Sequence, residues 1–180
     1  GESILRKLKI AKDGYIAMSV AFYVAGLILI LFSDIPPDIL RFASGSMLIV
    51  YGVIKITGYF SKDLYCLAFQ YDFAFGMLIM VLGVLILTLG ENMGTHLPLL
   101  LGLIILSDSL FKIQMSIDAK RFGLELWGVA LTAAIASGAC GMLLMISCLV
   151  EALAVNIIAG CSILCEGVLN QYIVMRTVKN

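Results

Sequence analysis

Charged residues are scarce in this sequence. Of its 180 residues, 12 are Lys or Arg and 12 are Asp or Glu, which makes 13% charged, whereas a soluble domain carries about 25%. So few charges cannot coat a soluble globule of this size. The equal numbers of bases and acids also leave no net charge to attract a polyanion. A soluble domain and a nucleic-acid-binding protein are therefore poor interpretations.

Catalytic and metal-binding motifs are missing from the sequence as well. It contains no HExxH, GxSxG, P-loop or paired CxxC motif, so we expect no enzyme, no metal site and no cofactor. The five cysteines are an odd number without paired spacing and indicate no disulfide framework. They lie in or beside apolar runs, where we expect buried thiols that act as small hydrophobes. These residues are Cys66, Cys140, Cys148, Cys161 and Cys165.

The sequence has long apolar runs instead, since 62% of its residues are hydrophobic. Six runs are each long enough for the ~20 residues that a bilayer core requires, and none shows the period-two alternation of a membrane β-strand. The prolines, at 36, 37 and 98, break none of them. We therefore predict an all-α membrane protein with six transmembrane helices. The runs are 15–32, 39–60, 67–89, 97–117, 126–149 and 155–175.

Basic residues lie at alternate ends of the runs and predict the orientation. They precede the first run and follow the second, fourth and sixth, whereas the other loops carry acids and no Lys. Both termini are therefore predicted to be cytoplasmic. The bases are Arg6, Lys7, Lys9, Lys12, Lys62, Lys120, Arg121, Arg176 and Lys179, and the acids are Asp34, Asp38, Glu91 and Glu151.

Residues 1–13 form a separate basic segment ahead of the first run. Ile4, Leu5, Leu8 and Ala11 fall on one helical face with bases opposite, which predicts a short amphipathic helix along the inner leaflet. A signal peptide is the alternative, weakened by the lack of a small-residue cleavage site.

Small residues recur seven apart in every run, and shifts of 57 and then 58 residues superimpose them. This register predicts three tandem helical hairpins, 14–60, 61–117 and 118–180 with its basic tail, in one integral-membrane domain. Small residues let helix backbones approach closely within a bilayer, so the stripe predicts a compact bundle. The stripe consists of Ser19, Gly26, Gly45, Gly52, Gly76, Gly83, Gly102, Ser109, Ala134, Gly141, Gly160 and Gly167.

The same shifts align a polar cluster inside the membrane. Asp108 and Glu166 fall near the bilayer centre, where a charge costs ~2.5–3.5 kcal/mol and should face a partner inside the bundle. Asp108 and Lys112 are spaced i,i+4 and can pair. Glu166 has no such cation nearby, so we expect it to hold a proton at neutral pH. The cluster comprises Tyr51, Lys55, Asp72, Asp108, Lys112, Glu166 and Asn170, with Asp72 placed to pair with Lys55.

Three functions stay open for this cluster. It could move protons, ions or a small solute, fix the helix register as a structural network, or support contacts with lipid or a protein partner, including a second copy of the chain.

Three aromatic residues outside this cluster have more limited interpretations. His96, the one histidine, is a solvated loop residue or a sensor of external acid, and Tyr15 and Trp127 resemble interfacial anchors.

Three segments resemble the HdeD-like family of bacterial membrane proteins. They are 42–56, 75–87 and 97–106, the last continuing through Lys112 to Trp127. In such families the even helices carry a G-x6-G pattern followed by a polar residue, which Lys55, Lys112 and Asn170 match. Ser109 and the Ala134/Gly141 pair depart from that pattern.

The resemblance implies a fold, a location and a role. It implies six spans built from a short repeated domain of unknown function, in the bacterial inner membrane. It also implies a link to acid resistance or envelope stress, without known catalytic residues. The partner that the apolar runs predict is the lipid bilayer.

Overall fold

A computed structural model describes residues 2–32, 34–61, 72–88, 96–147 and 152–177, which are helical apart from short turns. The continuous apolar runs form helices because a helix satisfies every backbone hydrogen bond internally, as the bilayer demands. The helices are α1 (Glu2–Leu31), α2 (Pro37–Ser61), α3 (Asp72–Thr88), α4 (Leu97–Arg121), α5 (Trp127–Ile146) and α6 (Ala152–Thr177).

Five of the six helices are long and apolar enough to cross a membrane. α3 is equally apolar but has 17 residues, and parts of the predicted run 67–89 lie outside the described residues. The all-helical fold and these spans identify a multi-pass membrane protein whose environment is a lipid bilayer. The orientation of its termini is not fixed by the fold.

Polarity is inverted relative to a soluble protein. Large apolar side chains such as Leu31, Phe42 and Leu110 are exposed on the outside of the bundle, whereas charged side chains such as Lys55 and Glu166 are buried. This is the distribution that lipid favours, because an ionisable group in hydrocarbon needs a partner inside the protein.

The cysteines differ in part from their predicted burial. Cys161 is exposed on α6, and Cys140 and Cys165 are half-buried. An exposed thiol on a lipid-facing surface remains in an apolar environment, so membrane burial does not require a place inside the bundle. Cys66 and Cys148 lie outside the described residues.

The basic segment 1–13 is not a separate element. α1 runs without a break from Glu2 to Leu31, and Ala11 is already part of the buried core with Tyr15 and Met18. The segment contains neither Pro nor Gly after residue 1 that would end the helix before the first span. The predicted interfacial helix is therefore the first part of α1.

The closest helix contacts occur in three antiparallel pairs, α2 with α3, α4 with α5, and α6 with α1. A Cβ atom added to Gly83 would lie 2.7 Å from the carbonyl oxygen of Gly45, and one on Gly102 would lie 2.7 Å from that of Gly141. A Cβ on Gly26 would lie 2.8 Å from the carbonyl oxygen of Gly160. At these separations the helix backbones touch, as small residues permit.

The glycine contacts join successive predicted hairpins rather than the two helices of one hairpin. Gly52 meets Gly76 in the α2–α3 pair, and Gly167 meets the Ser19 carbonyl in the α6–α1 pair. Each stripe occupies one helix face, and that face is turned toward the next repeat unit. α1 and α2, like α5 and α6, contact each other less extensively than the three glycine-packed pairs do. The last unit thus closes onto the first.

The α4–α5 pair departs slightly from this pattern. Ser109 lies against Gly138, where an added Cβ would be 3.3 Å from that of Ser109. Ala134 is fully buried in a core cluster with Ala130 and Leu169. Gly138 is therefore a packing position that the seven-residue stripe did not include.

Candidate functional site

All six helices contribute side chains to one buried polar network in the middle of the bundle. Every member is less than 9% exposed. The members are Tyr15 of α1, Tyr51 and Lys55 of α2, Asp72 of α3, Asp108 and Lys112 of α4, Ser137 of α5, and Glu166 and Asn170 of α6. The structure thus brings together all seven residues of the predicted polar cluster and adds Tyr15 and Ser137.

Lys55 lies at the centre of the network and is 1% exposed. Its Nζ atom is 3.2 Å from Asp72 Oδ1 and 3.4 Å from Asp108 Oδ1, which are on two other helices. The same ammonium lies 4.6 Å from the ring centroid of Tyr51 and is also flanked by the rings of Tyr15 and Phe75. Two carboxylates and three aromatic faces replace its hydration shell.

Asp108 lies between two cations. Its Oδ2 atom is 2.5 Å from Lys112 Nζ, one helical turn along α4, while its Oδ1 atom faces Lys55. Because each oxygen has its own ammonium, the Asp108 carboxylate is stable as an ion in the interior. This arrangement joins α2 and α4 at mid-helix.

Glu166 has polar partners but no ion pair. Ser137 Oγ donates to Glu166 Oε1 at 2.6 Å, and the Asp108 carboxyl group lies beside Glu166, since both side chains line the same cavity. Two carboxyl groups can hydrogen bond to each other only when one of them carries a proton. Among the described residues, no Lys or Arg nitrogen lies within 4.0 Å of Glu166.

A charge count supports a bound proton. Lys55 and Lys112 supply two positive charges, and Asp72 and Asp108 supply two negative ones. An ionised Glu166 would add a third negative charge without a matching cation among the described side chains. The network is neutral when Asp108 and Glu166 share one proton.

Asn170 contacts Tyr51 rather than Glu166. Its Nδ2 atom donates to Tyr51 Oη at 2.6 Å, across the α6–α2 boundary, while its Oδ1 atom is buried without a partner. Asn170 follows Glu166 by one helical turn of α6, yet its amide bonds to a different helix. Tyr51 takes that donor because its phenol projects between the helices.

Tyr15 differs from its predicted role as an interfacial anchor. It is 2% exposed, and its hydroxyl donates to Asp72 Oδ2. The signal that could have found it is the repeat itself, since Tyr15 and Asp72 are 57 residues apart. Ser137 carried no comparable signal because its equivalent in α3 is Ile79.

A cavity of about 80 Å³ borders the network. Tyr51, Asp108 and Glu166 line it, and most of the other lining side chains are apolar. Those from α2 and α4, such as Met47 and Leu101, precede Tyr51 and Asp108 along their helices. The cavity therefore lies on the side of the network toward the start of α2 and α4.

The remaining predicted positions lie away from the network. His96 is exposed beside the start of α4, and its carbonyl accepts a hydrogen bond from the Leu100 amide at 3.1 Å. Trp127 is half-buried at the start of α5, with the Lys120 ammonium 4.6 Å from its ring centroid. Within the part of the chain that the structure describes, no group of three His, Cys, Asp or Glu side chains is placed to hold a metal ion.

The fold and the network define a class, the multi-pass helical membrane protein with a buried, charge-paired core. Residues 17–88 match a family model described as a short repeat of unknown function (DUF308). The match begins within α1 and ends with α3. No curated protein and no solved structure matches the chain.

Proposed function

We propose that the protein is a non-enzymatic protein of the bacterial inner membrane, of the HdeD-like type, that acts under acid or envelope stress by binding a proton at the Asp108–Glu166 pair. The observation that carries this proposal is Glu166, a buried acid that accepts a hydrogen bond from Ser137 and lies beside Asp108 but is paired with no cation among the described residues. The match to a short repeat of unknown function is consistent with this type of protein.

The geometry gives a proton a defined place and a consequence. A proton shared by Asp108 and Glu166 holds α4 against α6, and its loss would leave two like charges adjacent in the interior. Asp108 is also paired to Lys55, and Lys55 to Asp72. A change of protonation at the Asp108–Glu166 pair is therefore transmitted to Lys55 of α2 and to Asp72 of α3.

Infrared spectroscopy tests the proposal directly. The purified protein should show the carbonyl stretch of a protonated carboxyl group at neutral pH, and the band should disappear on titration to alkaline pH. Glu166→Gln should remove the band, because an amide cannot hold the proton. The matched control is Glu125→Gln, at an exposed position between α4 and α5, which should leave the band intact.

A second measurement links the proton to physiology. Bacterial cells that lack the gene should survive acid shock when they carry the wild-type copy or Glu125→Gln, and fail with Glu166→Gln at equal protein levels. A protonated carboxyl band that persists in Glu166→Gln, or equal survival of both variants, contradicts the proposal.

Transport of protons, ions or a small solute is the second candidate, and two observations favour it. The cavity ends on Asp108 and Glu166, and from there charged and hydroxyl groups continue through Lys55 and Asp72 to Tyr15. Liposomes with a pH-sensitive dye inside should then acidify after an external acid jump with the wild type but not with Glu166→Gln. Equal flux with both proteins, or none with either, excludes proton transport through Glu166.

A further inference from the structure

The cavity beside the network has the composition of a binding site for an amphiphilic ion. Its side-chain oxygens come only from Ser44, Tyr51, Asp108 and Glu166, and its other described lining residues are apolar. Such a balance, mostly hydrophobic with a few placed polar groups, is typical of small-molecule sites. Phe22, Tyr51 and Phe75 add three aromatic rings to the lining.

The charge of the network determines which ligand the cavity suits. With Lys55 and Lys112 held by Asp72 and Asp108, an ionised Glu166 would need one further positive charge. A proton satisfies that need, and a cation in the cavity would satisfy it equally well. An anion would add to the unmatched negative charge.

We propose that the cavity binds a small alkylammonium ion whose positive charge replaces the proton on Glu166. The inference rests on the proposed function, since the same carboxyl group holds the proton when the cavity has no ligand. The exchange is balanced, because one ammonium enters, one proton leaves, and Glu166 becomes a carboxylate paired with the ammonium. The alkyl part would occupy the apolar walls.

The lining favours an organic cation over a metal ion. Hard cations take six or more oxygen ligands. The four polar lining residues carry six side-chain oxygens, but both oxygens of Asp108 and one of Glu166 already have partners within the network. An ammonium needs fewer acceptors, and its charge also interacts with aromatic faces within about 6 Å. A cavity of about 80 Å³ limits the ligand to a short chain such as propylammonium.

The exchange depends on the groups that surround Glu166. Titratable groups reach it from several helices, and α5 contributes the Ser137 hydroxyl. The titratable groups around it are Asp108 and Lys112 of α4, Tyr51 of α2 and Cys165 of α6 itself. Lys55, Asp72 and Tyr15 are connected to Glu166 only through Asp108.

Calorimetric titration of the purified full-length protein with propylammonium chloride tests the inference. We expect saturable binding, with about one proton released per ion in buffers of different ionisation enthalpy. The apparent Kd should rise about tenfold for each unit that the pH falls below the range where Glu166 binds its proton, as linkage requires. 1-Propanol, a neutral analogue, should bind with no proton release.

Two variants separate a binding effect from a folding effect. Glu166→Gln should abolish propylammonium binding. Ser44→Leu should narrow the cavity and abolish binding. It should keep the protonated carboxyl band, because the network retains its lysine and acidic residues, Lys55, Asp72, Asp108, Lys112 and Glu166. Glu125→Gln should bind like the wild type.

The outcomes distinguish this inference from the proposed function. If the protonated carboxyl band is present but propylammonium does not bind, the inference is wrong and the proposed function stands. If propylammonium binds without proton release, Glu166 holds no exchangeable proton, and both the exchange and the proposed proton site are wrong. Unchanged binding in Ser44→Leu places the ligand elsewhere and overturns the assignment to this cavity.

Discussion

At the scale of single residues, Lys55 has the most partners in the network. It pairs with carboxylates from α3 and α4 and is surrounded by rings from α1, α2 and α3. Burying an ammonium is tolerable only because these partners compensate for lost water. Lys55 thereby ties four helices through one side chain.

We expect Lys55→Met to destabilise the bundle by about 3–5 kcal/mol, because Asp72 loses its ammonium and Asp108 keeps only Lys112. The measurement is the free energy of unfolding in detergent, by denaturant titration. Lys9→Met, at an exposed position of α1, is the matched control and should stay within about 0.5 kcal/mol of wild type. Adding Asp72→Asn to Lys55→Met should recover part of the lost stability. A Lys55→Met variant as stable as the wild type would contradict the ion-pair network.

Residue-scale prediction from sequence worked best where the partners share one helix. Asp108 and Lys112 are four apart, so their pairing follows from helical geometry. Tyr15 and Ser137 were missed because their partners, Asp72 and Glu166, lie on other helices. Nothing local distinguishes an anchoring tyrosine from one whose hydroxyl faces inward.

At the scale of helices, glycine contacts determine which faces meet. The α2–α3 pair contains two such glycine contacts, Gly45 against Gly83 and Gly52 against Gly76. A Cβ atom at any of these four positions would lie 2.7–3.0 Å from a carbonyl oxygen of the facing helix, and at Gly45 and Gly52 it would also meet the side chains of Leu87 and Met80. The two helices approach as closely as they do because both surfaces lack Cβ atoms.

Gly83→Leu should force α2 and α3 apart and destabilise the protein by about 1–3 kcal/mol or more. An added Cβ there lies 2.7 Å from the Gly45 carbonyl oxygen and 2.8 Å from Ile49 Cγ1. Gly128→Leu in α5 is the control, because a Cβ at Gly128 meets nothing within 4 Å. The melting temperatures of the two variants in the same detergent are compared, and equal values would refute the packing argument.

Prediction at this scale gave the helices but not their partners. Apolar runs without proline specify where helices form, and the repeat specified most stripe positions. The spacing of small residues did not predict which helix each stripe faces, because the same spacing fits contacts within a hairpin or between hairpins. The α6–α1 contact joins Gly26 and Gly160 across most of the sequence, beyond the range of local periodicity.

At the scale of the whole molecule, the three glycine-packed pairs follow the repeat. Stripe positions related by 57 and 58 residues meet equivalent partners in the α2–α3, α4–α5 and α6–α1 pairs. The exception is in the α4–α5 pair, where Ser109 contacts Gly138 instead of the equivalent stripe position, Ala134. The network breaks this symmetry, since Tyr51, Asp108 and Glu166 occupy equivalent positions with different chemistry. A repeated scaffold thus encloses an asymmetric polar centre.

The charge distribution predicts that Lys9 and Arg176 lie on the cytoplasmic side and Asp34 on the opposite side. In a chain whose native cysteines are replaced by serine, we expect a membrane-impermeant maleimide to label Asp34→Cys in intact spheroplasts. Lys9→Cys and Arg176→Cys should react only after permeabilisation. The reverse labelling pattern would show that the bases are external and would overturn the predicted orientation.

The α6–α1 contact has a consequence for biosynthesis. α1 is synthesised before α2 to α6, yet the partner of its Ser19 and Gly26 surface is α6, the most distant of these helices along the sequence. Until α6 is inserted, that surface remains exposed to lipid. Tyr51 then lacks its hydrogen-bond donor Asn170, and Asp108 lacks its neighbour Glu166. Because translation proceeds in this order, insertion of α6 completes the α6–α1 pair and the polar network. A nascent chain stalled before α6 would present its charged interior to membrane quality control.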